Sequence, residues 1–481
     1  MTDLQFIEAV IDKKKDLIID VSDKVWAFAE LPYAEYKSSK LICDTLRQEG
    51  FTVEEGVAKM PTSFVGKYVV GSGKPVMGFL GEYDALDILS QEAAKPVKSP
   101  VVEGAPGHGC GHNALGAGSL GAAIALKEYL VENKLDGTVI YFGCAAEEGA
   151  GSKQFMARAG LFDECDFCYT WHPATINTIE SNRSNAIMGA NFNFKGLTSH
   201  AGATPYLGRS ALDAAELMSV GSNYLREHTI NEARIHYAYS YAGGVAPNVV
   251  QEYAQIKYEV RSPKVSQVKE LFERVANVAR GAALMTDTKM TYDITMAFSD
   301  YIPNDALARV ADECMIEVGP PKWDDEDYAL ARAFIDSYND LVKENIKESI
   351  AEIYGHDQVD AILAKPLDSV YHPYDPSKSK FSGGSTDVGD VTYAVPCLDI
   401  RVACACVGNI GHTWQHTAQA GSRIAHKGLL TAAKVMALSA IRTMTRPDVI
   451  AEAKEIVKRQ NGGLGYQCPL PDDVDPPVGK Y

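Results

Sequence analysis

Cysteine and histidine side chains lie close together in the segment GHGCGHN, residues 107–113. Cys110 and His112 are two residues apart, and in an extended backbone they would point to the same side. A thiolate and an imidazole on one side form a common pair of metal ligands. A buried structural cysteine beside a hydrogen-bonded histidine is the alternative interpretation of this segment taken alone.

Two adjacent acidic residues follow an apolar segment. Glu147 and Glu148 come directly after TVIYFGCAA and open a glycine-rich turn. One carboxylate of such a pair can bind a metal ion while the other moves protons. Because adjacent glutamates more often belong to a solvated turn, this interpretation needs support from other segments.

Two further histidines end or follow apolar segments that are predicted to be strands. His172 lies in YTWHP, and His412 lies in GNIGHTWQH after LDIRVACACVG. Open α/β sheets place their sites at the carboxyl ends of strands. Cys110, His112 and Glu148 occupy comparable positions, so the pattern predicts that all five side chains meet at one metal site.

The glycine spacing of GAGSLG, residues 116–121, matches that of a dinucleotide-binding loop. That motif requires an apolar strand directly before the glycines, whereas GHGCGHN stands there. We therefore expect these glycines to let a helix pack closely on a sheet.

The elements that must position these residues follow two patterns. Up to residue 185 apolar strands alternate with helices, which indicates an α/β sheet covered on both faces. Residues 186–300 show a strand-helix-strand-strand-helix-strand order, which predicts an α+β unit with a four-stranded antiparallel sheet. Apolar strands then return. We predict a discontinuous catalytic domain, residues 1–185 and 301–481, with a mixed, mostly parallel sheet and an inserted domain at residues 186–300.

The composition excludes several classes of partner. The 481 residues include 46 Lys and Arg against 63 Asp and Glu, a net charge of −17, so the average surface repels nucleic acid and anionic lipid. The sequence also lacks a secretory pattern and an apolar run long enough to span a membrane. We expect a cytoplasmic protein with neither a nucleic-acid nor a membrane partner.

Eight segments occur in the order found in the dinuclear-metal amidohydrolases and carboxypeptidases of the aminoacylase type. These segments are GEYDAL, GHGCGHN, AAEEGAGSKQFM, TWHP, HAGATPYLGRSALDAA, APNVV, STDVGDV and GHTWQ. The sequence resembles this family over almost its whole length. The resemblance implies hydrolysis of an amide next to a free carboxylate, and a lid and dimerisation role for the inserted domain.

The resemblance also implies roles for the candidate metal-site residues. The implied ligands of two divalent metal ions are Cys110, His112, Glu148, His172 and His412. The thiolate of Cys110 would span both ions, and Glu147 would be the general acid and base. Thiolate and imidazole ligands suit zinc, whereas manganese prefers oxygen ligands, and the resemblance is compatible with both metals.

Three residues of the predicted inserted domain match family residues that contact substrate. His200, in TSHAGATP, matches the lid histidine that reaches a neighbouring active site and stabilises the oxyanion. Asn248, in APNVV, and Arg261, in YEVRSP, match the pair that holds the substrate carboxylate. A guanidinium suits that task because it binds a carboxylate through two parallel hydrogen bonds. These matches imply a homodimer formed through the lid domain.

The implied substrate is a small anionic N-acyl amino acid. The leading hypothesis is cleavage of p-aminobenzoyl-glutamate to p-aminobenzoate and glutamate. Another N-acyl amino acid or a dipeptide is the first alternative. A noncatalytic subunit that supports an A-type hydrolase subunit is the second, but the retention of all five ligands and of Glu147 favours an enzyme.

Overall fold

Two β-sheets of different type organise the chain, and a computed structural model describes residues 1–479 of it. The last two residues of the predicted segment 301–481 therefore lie outside the described residues. Strands and helices are numbered along the chain. The strands of the larger sheet are β1 (Thr52–Glu55), β2 (Phe64–Val70), β3 (Val76–Gly81), β4 (Gly137–Gly143), β5 (Phe167–Ala174), β6 (Asn177–Ile179), β11 (Tyr371–His372) and β12 (Cys397–Ala403).

The larger sheet is mixed and mostly parallel, as predicted. Its strand order is β1-β2-β4-β3-β5-β12-β6-β11. β3 runs parallel to both β4 and β5, β5 runs parallel to β12, and β11 runs parallel to β6. The other neighbouring strands are antiparallel. Because every residue of β3 and β4 is buried, these two strands read as continuous apolar runs.

Helices cover this sheet and supply the rest of its core. They are α1 (Asp3–Phe28), α2 (Tyr36–Gln48), α3 (His112–Asn133), α4 (Lys153–Arg158), α7 (Asp305–Val318), α8 (Asp325–Asp336), α9 (Asp340–Tyr354), α10 (Val359–Ala364), α11 (Val388–Ala394), α12 (Trp414–Ala420), α13 (Arg423–Met444) and α14 (Pro447–Gln460). Helix α3 packs between α1, α13 and the sheet.

The glycines of GAGSLG explain how closely α3 approaches the sheet. A Cβ atom on Gly116 would lie 2.5 Å from the backbone oxygen of Glu82, and one on Gly118 would lie 2.7 Å from the ring of Trp171. The predicted packing role of these glycines is therefore confirmed. By length and composition α3 and α13 could each cross a membrane, but 83% and 72% of their apolar windows are buried inside the protein.

The second sheet is antiparallel throughout and has its own helices. Its strands are β7 (Ala186–Lys195), β8 (Arg234–Tyr241), β9 (Tyr253–Ser262) and β10 (Lys289–Phe298), in the order β10-β7-β9-β8. Helices α5 (Ala211–Leu225) and α6 (Val265–Thr286) pack against it. The predicted four-stranded α+β unit is thus present, and we propose residues 186–300 as its domain boundaries.

Candidate metal centre

The loop before α3 presents Cys110 and His112 to one site through a left-handed glycine. Gly111 has a φ of 85° and is the N-cap of α3, so His112 is the first helical residue. The extended backbone assumed in the sequence argument is therefore wrong at this point, although both side chains still face the same site. Only glycine adopts such a φ at low cost, which accounts for its place between the two candidate ligands.

One donor cluster joins this loop to the end of β5. The Sγ atom of Cys110 lies 3.4 Å from Nε2 of His172. One ligand atom each from Cys110, His112 and His172 lies within 4.8 Å of the other two. A sulfur and two imidazole nitrogens at this separation suit a divalent metal ion.

A second donor cluster also contains Cys110. Its other members are Glu148 and His412, and their ligand atoms again lie within 4.8 Å of one another. The Nε2 atom of His412 is 3.4 Å from Oε1 of Glu148. The two clusters therefore meet at a single thiol, and the structure brings all five predicted ligands together.

The backbone of His412 is strained where it meets the loop of Cys110. His412 has a φ of 57°, a left-handed conformation that is costly for a residue with a side chain. Its N–H donates to the backbone oxygen of Gly109 at 2.9 Å. This hydrogen bond ties the loop after β12 to the loop before α3, and so aligns the two clusters.

Glu147 lies beside the clusters without belonging to either one that contains Cys110. Its Oε2 atom is 3.9 Å from Nε2 of His112. Burial, together with the nearby carboxylates of Glu82 and Glu148, raises the pKa of Glu147 well above its usual value. A carboxyl group that binds a proton this readily suits a general acid and base.

Two groups of the second cluster, Glu148 and Cys110, have lowered pKa values that favour their anionic forms. Burial opposes ionisation of Glu148, but its contact with His412 and the field of His112 lower its pKa to about 2. Burial and Glu148 likewise oppose ionisation of the Cys110 thiol, but the imidazoles of His112 and His172 lower its pKa to about 6. Metal ligands must be deprotonated to bind, and these two groups meet that condition near neutral pH.

Five charged residues beside or behind the donor clusters were missed by the sequence argument. They are Glu35, Glu82, Asp84, Lys153 and Asp387. Three of them lie in segments that resemble the family: Glu82 and Asp84 in GEYDAL, and Asp387 in STDVGDV. Their presence in these segments was a signal, but the type of a single acidic residue did not show which role it has. The partners of these residues are far apart in the chain, which no local pattern could show.

Lys153 is the centre of a buried charge network that extends to the site. Its Nζ atom lies 2.7 Å from Oε1 of Glu82 and 2.6 Å from Oδ1 of Asp387, and all three side chains are buried. The other carboxylate oxygen of Glu82 lies 3.2 Å from Nε2 of His112. The network fixes the negative charge of Glu82 next to Glu147, and that charge contributes to the raised pKa of Glu147.

Of the three predicted substrate-binding residues in the unit of the second sheet, two lie on exposed loops and one contacts the cavity wall. His200 and Asn248 lie on adjacent loops, joined by a hydrogen bond from the N–H of Ala201 to the backbone oxygen of Asn248 at 2.9 Å. Both are exposed, and neither is among the described residues that line the cavity adjoining the donor clusters. Arg261 instead donates to Oγ of Ser385 at 3.0 Å, and Ser385 lines that cavity.

The cavity beside the donor clusters has a volume of about 220 Å³. Cys110, Glu147, Glu148, His172 and His412 line it together with residues 182–184 and 384–386. An α/β sheet with two adjoining donor clusters and a protonatable carboxyl group at such a cavity is the arrangement of a metal-dependent hydrolase.

Comparison with known proteins places the chain more narrowly. It belongs to peptidase family M20/M25/M40, and the sequence model of this family matches residues 78–437. The chain is 38% identical over 475 residues to the B-type subunit of p-aminobenzoyl-glutamate hydrolase of Escherichia coli (strain K12), covering 98% of each chain. It is 26% identical over 461 residues to Xaa-Arg dipeptidase of Mus musculus, covering 93% of this chain and 90% of that one.

The fold has solved counterparts. The crystal structure of a putative aminohydrolase from methicillin-resistant Staphylococcus aureus matches with a TM-score of 0.63 and 16% sequence identity. The match covers 92% of this chain and 100% of that chain. The mixed sheet and the four-stranded unit thus form an architecture that recurs at low sequence identity.

Proposed function

We propose that this chain is a metal-dependent amidohydrolase that cleaves p-aminobenzoyl-glutamate to p-aminobenzoate and glutamate. The observation that carries the proposal is the pair of donor clusters that share Cys110 and lie beside Glu147. The substrate rests on the 38% identity to the Escherichia coli hydrolase subunit, which extends over 98% of both chains.

The donors fit a pair of divalent metal ions. Nε2 of His112 and Oε1 of Glu148 are buried, and among the described residues neither has a partner in hydrogen-bond geometry. Cys110, His112 and His172 would hold one ion, and Cys110, Glu148 and His412 would hold the other. The sulfur and nitrogen donors favour zinc over manganese. Bound there, such ions would lower the pKa of a water molecule and polarise the substrate carbonyl.

Glu147 would move the protons of the reaction. With a pKa raised by burial and by two neighbouring carboxylates, its carboxylate accepts the proton of the attacking water readily. The resulting carboxylic acid then gives this proton to the leaving amide nitrogen. The same group thus acts as base in the first step and as acid in the second.

His200 would stabilise the oxyanion of a neighbouring active site. Its Nδ1 atom accepts hydrogen bonds from the N–H groups of Gly202 and Ala203, each at 3.1 Å. In the neutral ring these contacts assign the proton to Nε2, which makes that atom a donor. A donor aimed at a developing oxyanion contributes roughly 2.7–4 kcal/mol. Asn248 and Arg261 would hold the substrate α-carboxylate.

A homodimer through the second sheet would deliver His200 to that neighbouring site. Strand β8 is an edge strand of this sheet, and its Tyr237, Tyr239 and Tyr241 are exposed. A long edge strand with exposed aromatic side chains is suited to association with another chain. An A-type subunit is the alternative partner, because the Escherichia coli relative is named as one of two kinds of hydrolase subunit.

The first alternative function keeps the chemistry and changes the substrate. The 26% identity to Xaa-Arg dipeptidase over most of both chains favours a dipeptide or another N-acyl amino acid as the alternative. The second alternative, a noncatalytic partner subunit, does not account for the raised pKa of Glu147 beside the assembled ligands.

The test is an assay of the metal-replete chain alone with p-aminobenzoyl-glutamate, following both products. Glu147→Gln is the control because it keeps the shape of the side chain and removes its basicity. Equal release of p-aminobenzoate and glutamate, lowered by about 100-fold or more in the variant, supports the proposal. Release only after addition of an A-type subunit favours the partner-subunit hypothesis, and activity confined to other N-acyl amino acids favours the first alternative.

A further inference from the structure

Two arginines line the cavity beside the metal-site residues, and their surroundings differ. Arg401 forms two short ion pairs, from Nε to Glu180 at 3.0 Å and from Nη2 to Asp399 at 2.7 Å. Two carboxylates therefore balance its charge. Arg401 accordingly has little capacity left for an anionic substrate, and its role in the cavity wall is structural.

Within residues 1–479, Arg183 has no ion pair as short as these. Its nearest carboxylate is Asp300, whose Oδ2 atom lies 3.6 Å from Nη2, beyond the range of a good hydrogen bond. Asp300 accepts hydrogen bonds from the N–H of Val265 and the hydroxyl of Tyr393, both at 3.0 Å through Oδ1, whereas its Oδ2 has no hydrogen-bond partner among the described residues. The side chain of Arg183 is 41% exposed, which leaves part of it open to another anion.

The position of Arg183 is well fixed by its backbone. Its N–H donates to the oxygen of Lys380 at 3.2 Å, and its own oxygen accepts the N–H of Ser382 at 2.8 Å. The buried Nε atom of Arg183 has no hydrogen-bond partner among the described residues. An anchored arginine with a partly exposed side chain in a cavity wall has the geometry of an anion-binding residue.

Arg261, on β9 of the second sheet, also contacts a residue of the cavity wall. Arg261 hydrogen-bonds to Ser385, and the strand-like segment of Arg183 pairs with Phe381, four residues before that serine. The segment 381–385 thus contacts the backbone of Arg183 and the guanidinium of Arg261. A substrate whose amino-acid part has two carboxylates could pair one with each arginine. Such pairing offsets the cost of removing each carboxylate from water.

We infer that Arg183 is a specificity-determining residue that binds the side-chain carboxylate of the amino-acid part of the substrate. The inference rests on the proposed function, in which Arg261 holds the α-carboxylate. It accounts for a preference for N-acyl derivatives of dicarboxylic amino acids over the dipeptides and other N-acyl amino acids of the first alternative. A structural ion pair between Arg183 and Asp300 is the competing account.

Paired substrates separate these accounts. p-Aminobenzoyl-glutamine has the shape of p-aminobenzoyl-glutamate without the second negative charge. We expect the wild-type chain to prefer the glutamate compound by at least about 30-fold in kcat/KM, because a site built for a charged group rejects an analogue that lacks it. In Arg183→Gln this ratio falls to within about threefold through a higher KM for the glutamate compound.

The matched control is Arg261→Gln, which removes the proposed α-carboxylate contact. Both substrates carry that carboxylate, so Arg261→Gln should lower both kcat/KM values by a similar factor and preserve their ratio. An unchanged ratio in Arg183→Gln overturns the inference. If the ratio is unchanged because both kcat/KM values fall equally in Arg183→Gln, the result favours the structural pair with Asp300.

Equilibrium binding gives a readout that does not require turnover. Calorimetry with the Glu147→Gln chain should show tighter binding of the glutamate compound than of the glutamine compound, and Arg183→Gln added to this background should abolish the difference. A difference that persists in the double variant overturns the inference. If the wild-type chain cleaves no N-acyl amino acid, the proposed function fails, while the binding comparison still decides the role of Arg183.

Discussion

Asp84 and His112 form a buried pair that connects the two donor clusters. One carboxylate oxygen of Asp84 accepts a hydrogen bond from Nδ1 of His112 at 2.8 Å. The other oxygen accepts the backbone N–H of Glu148, also at 2.8 Å. Because the first contact assigns the proton of His112 to Nδ1, Nε2 is left as the donor atom that faces a metal ion. One carboxylate therefore orients a ligand of each cluster.

Replacing Asp84 by asparagine should weaken metal binding. Asparagine can accept one of the two hydrogen bonds but not both, since its amide nitrogen only donates. Loss of such an orienting contact typically lowers metal affinity about 10- to 100-fold. Titration against a competing chelator measures this change, with the exposed Asp287→Asn as control. Equal affinities for wild type and Asp84→Asn would show that Asp84 does not orient the ligands.

The Cys110 thiol should react with iodoacetamide at unusually low pH in metal-stripped protein. With a pKa of about 6, the thiolate fraction rises from pH 5 to pH 7 and is nearly complete above that range. Cys468, which is also partly accessible, has a pKa that burial raises above its usual value. Mass spectrometry of the alkylated chain should locate the early reaction at Cys110, and added metal should suppress it. A reaction midpoint near pH 9 at Cys110 would contradict the account.

The sequence identified the candidate ligands because their signal is local. Cys110 and His112 occur in one short segment, Glu148 and His412 follow apolar strands, and His172 lies near the end of one. A shared edge of the sheet then makes their convergence predictable. The backbone conformation of this short segment was not predictable from spacing alone, because the left-handed Gly111 and the helical His112 depend on how α3 packs.

The charged support of the site was not predictable from the sequence in the same way. Lys153 and Asp387 are separated by 234 residues, and the ion pair exists only because α4 and α11 pack together. Asp84 lies in GEYDAL, but its residue type alone does not distinguish it from an acidic residue in a solvated turn. The exposed positions of His200 and Asn248 likewise depend on the arrangement of the second sheet rather than on their motifs.

Substitution of Lys153 by methionine should destabilise the protein strongly. The change leaves Glu82 and Asp387 buried without their cation, and such unpaired buried charges typically cost about 3–5 kcal/mol. Urea unfolding of the metal-stripped chain measures the free energy of unfolding. The control is Lys40→Met, which removes an exposed pair with Asp44 and should leave stability near the wild-type value. Equal stabilities for the two variants would contradict a charge network centred on Lys153.

Glu35 should make stability fall as pH rises. Burial, with a contribution from Asp84, raises the pKa of Glu35 from 4.5 to about 8. Between these values the folded chain holds a proton that the unfolded chain has released, so this stabilisation is complete below about pH 4.5 and is lost as pH rises through about 8.

The isosteric Glu35→Gln variant tests this effect. Its amide oxygen can still accept the N–H of Ala146, and its amide nitrogen can donate to the hydroxyl of Thr62. We expect the loss of stability between pH 5 and pH 8.5 to be smaller in the variant by more than about 1 kcal/mol. Denaturant unfolding of both metal-stripped chains across this range provides the comparison. Parallel pH profiles would exclude Glu35 as the titrating group.

Anomalous diffraction from zinc-loaded crystals tests most directly whether one thiolate serves two metal ions. The account predicts two anomalous peaks, both bonded to Sγ of Cys110. One peak should also contact His112 and His172, and the other should contact Glu148 and His412. A single peak, or two peaks of which Cys110 contacts only one, would contradict the shared-thiolate centre on which the proposed hydrolase mechanism depends.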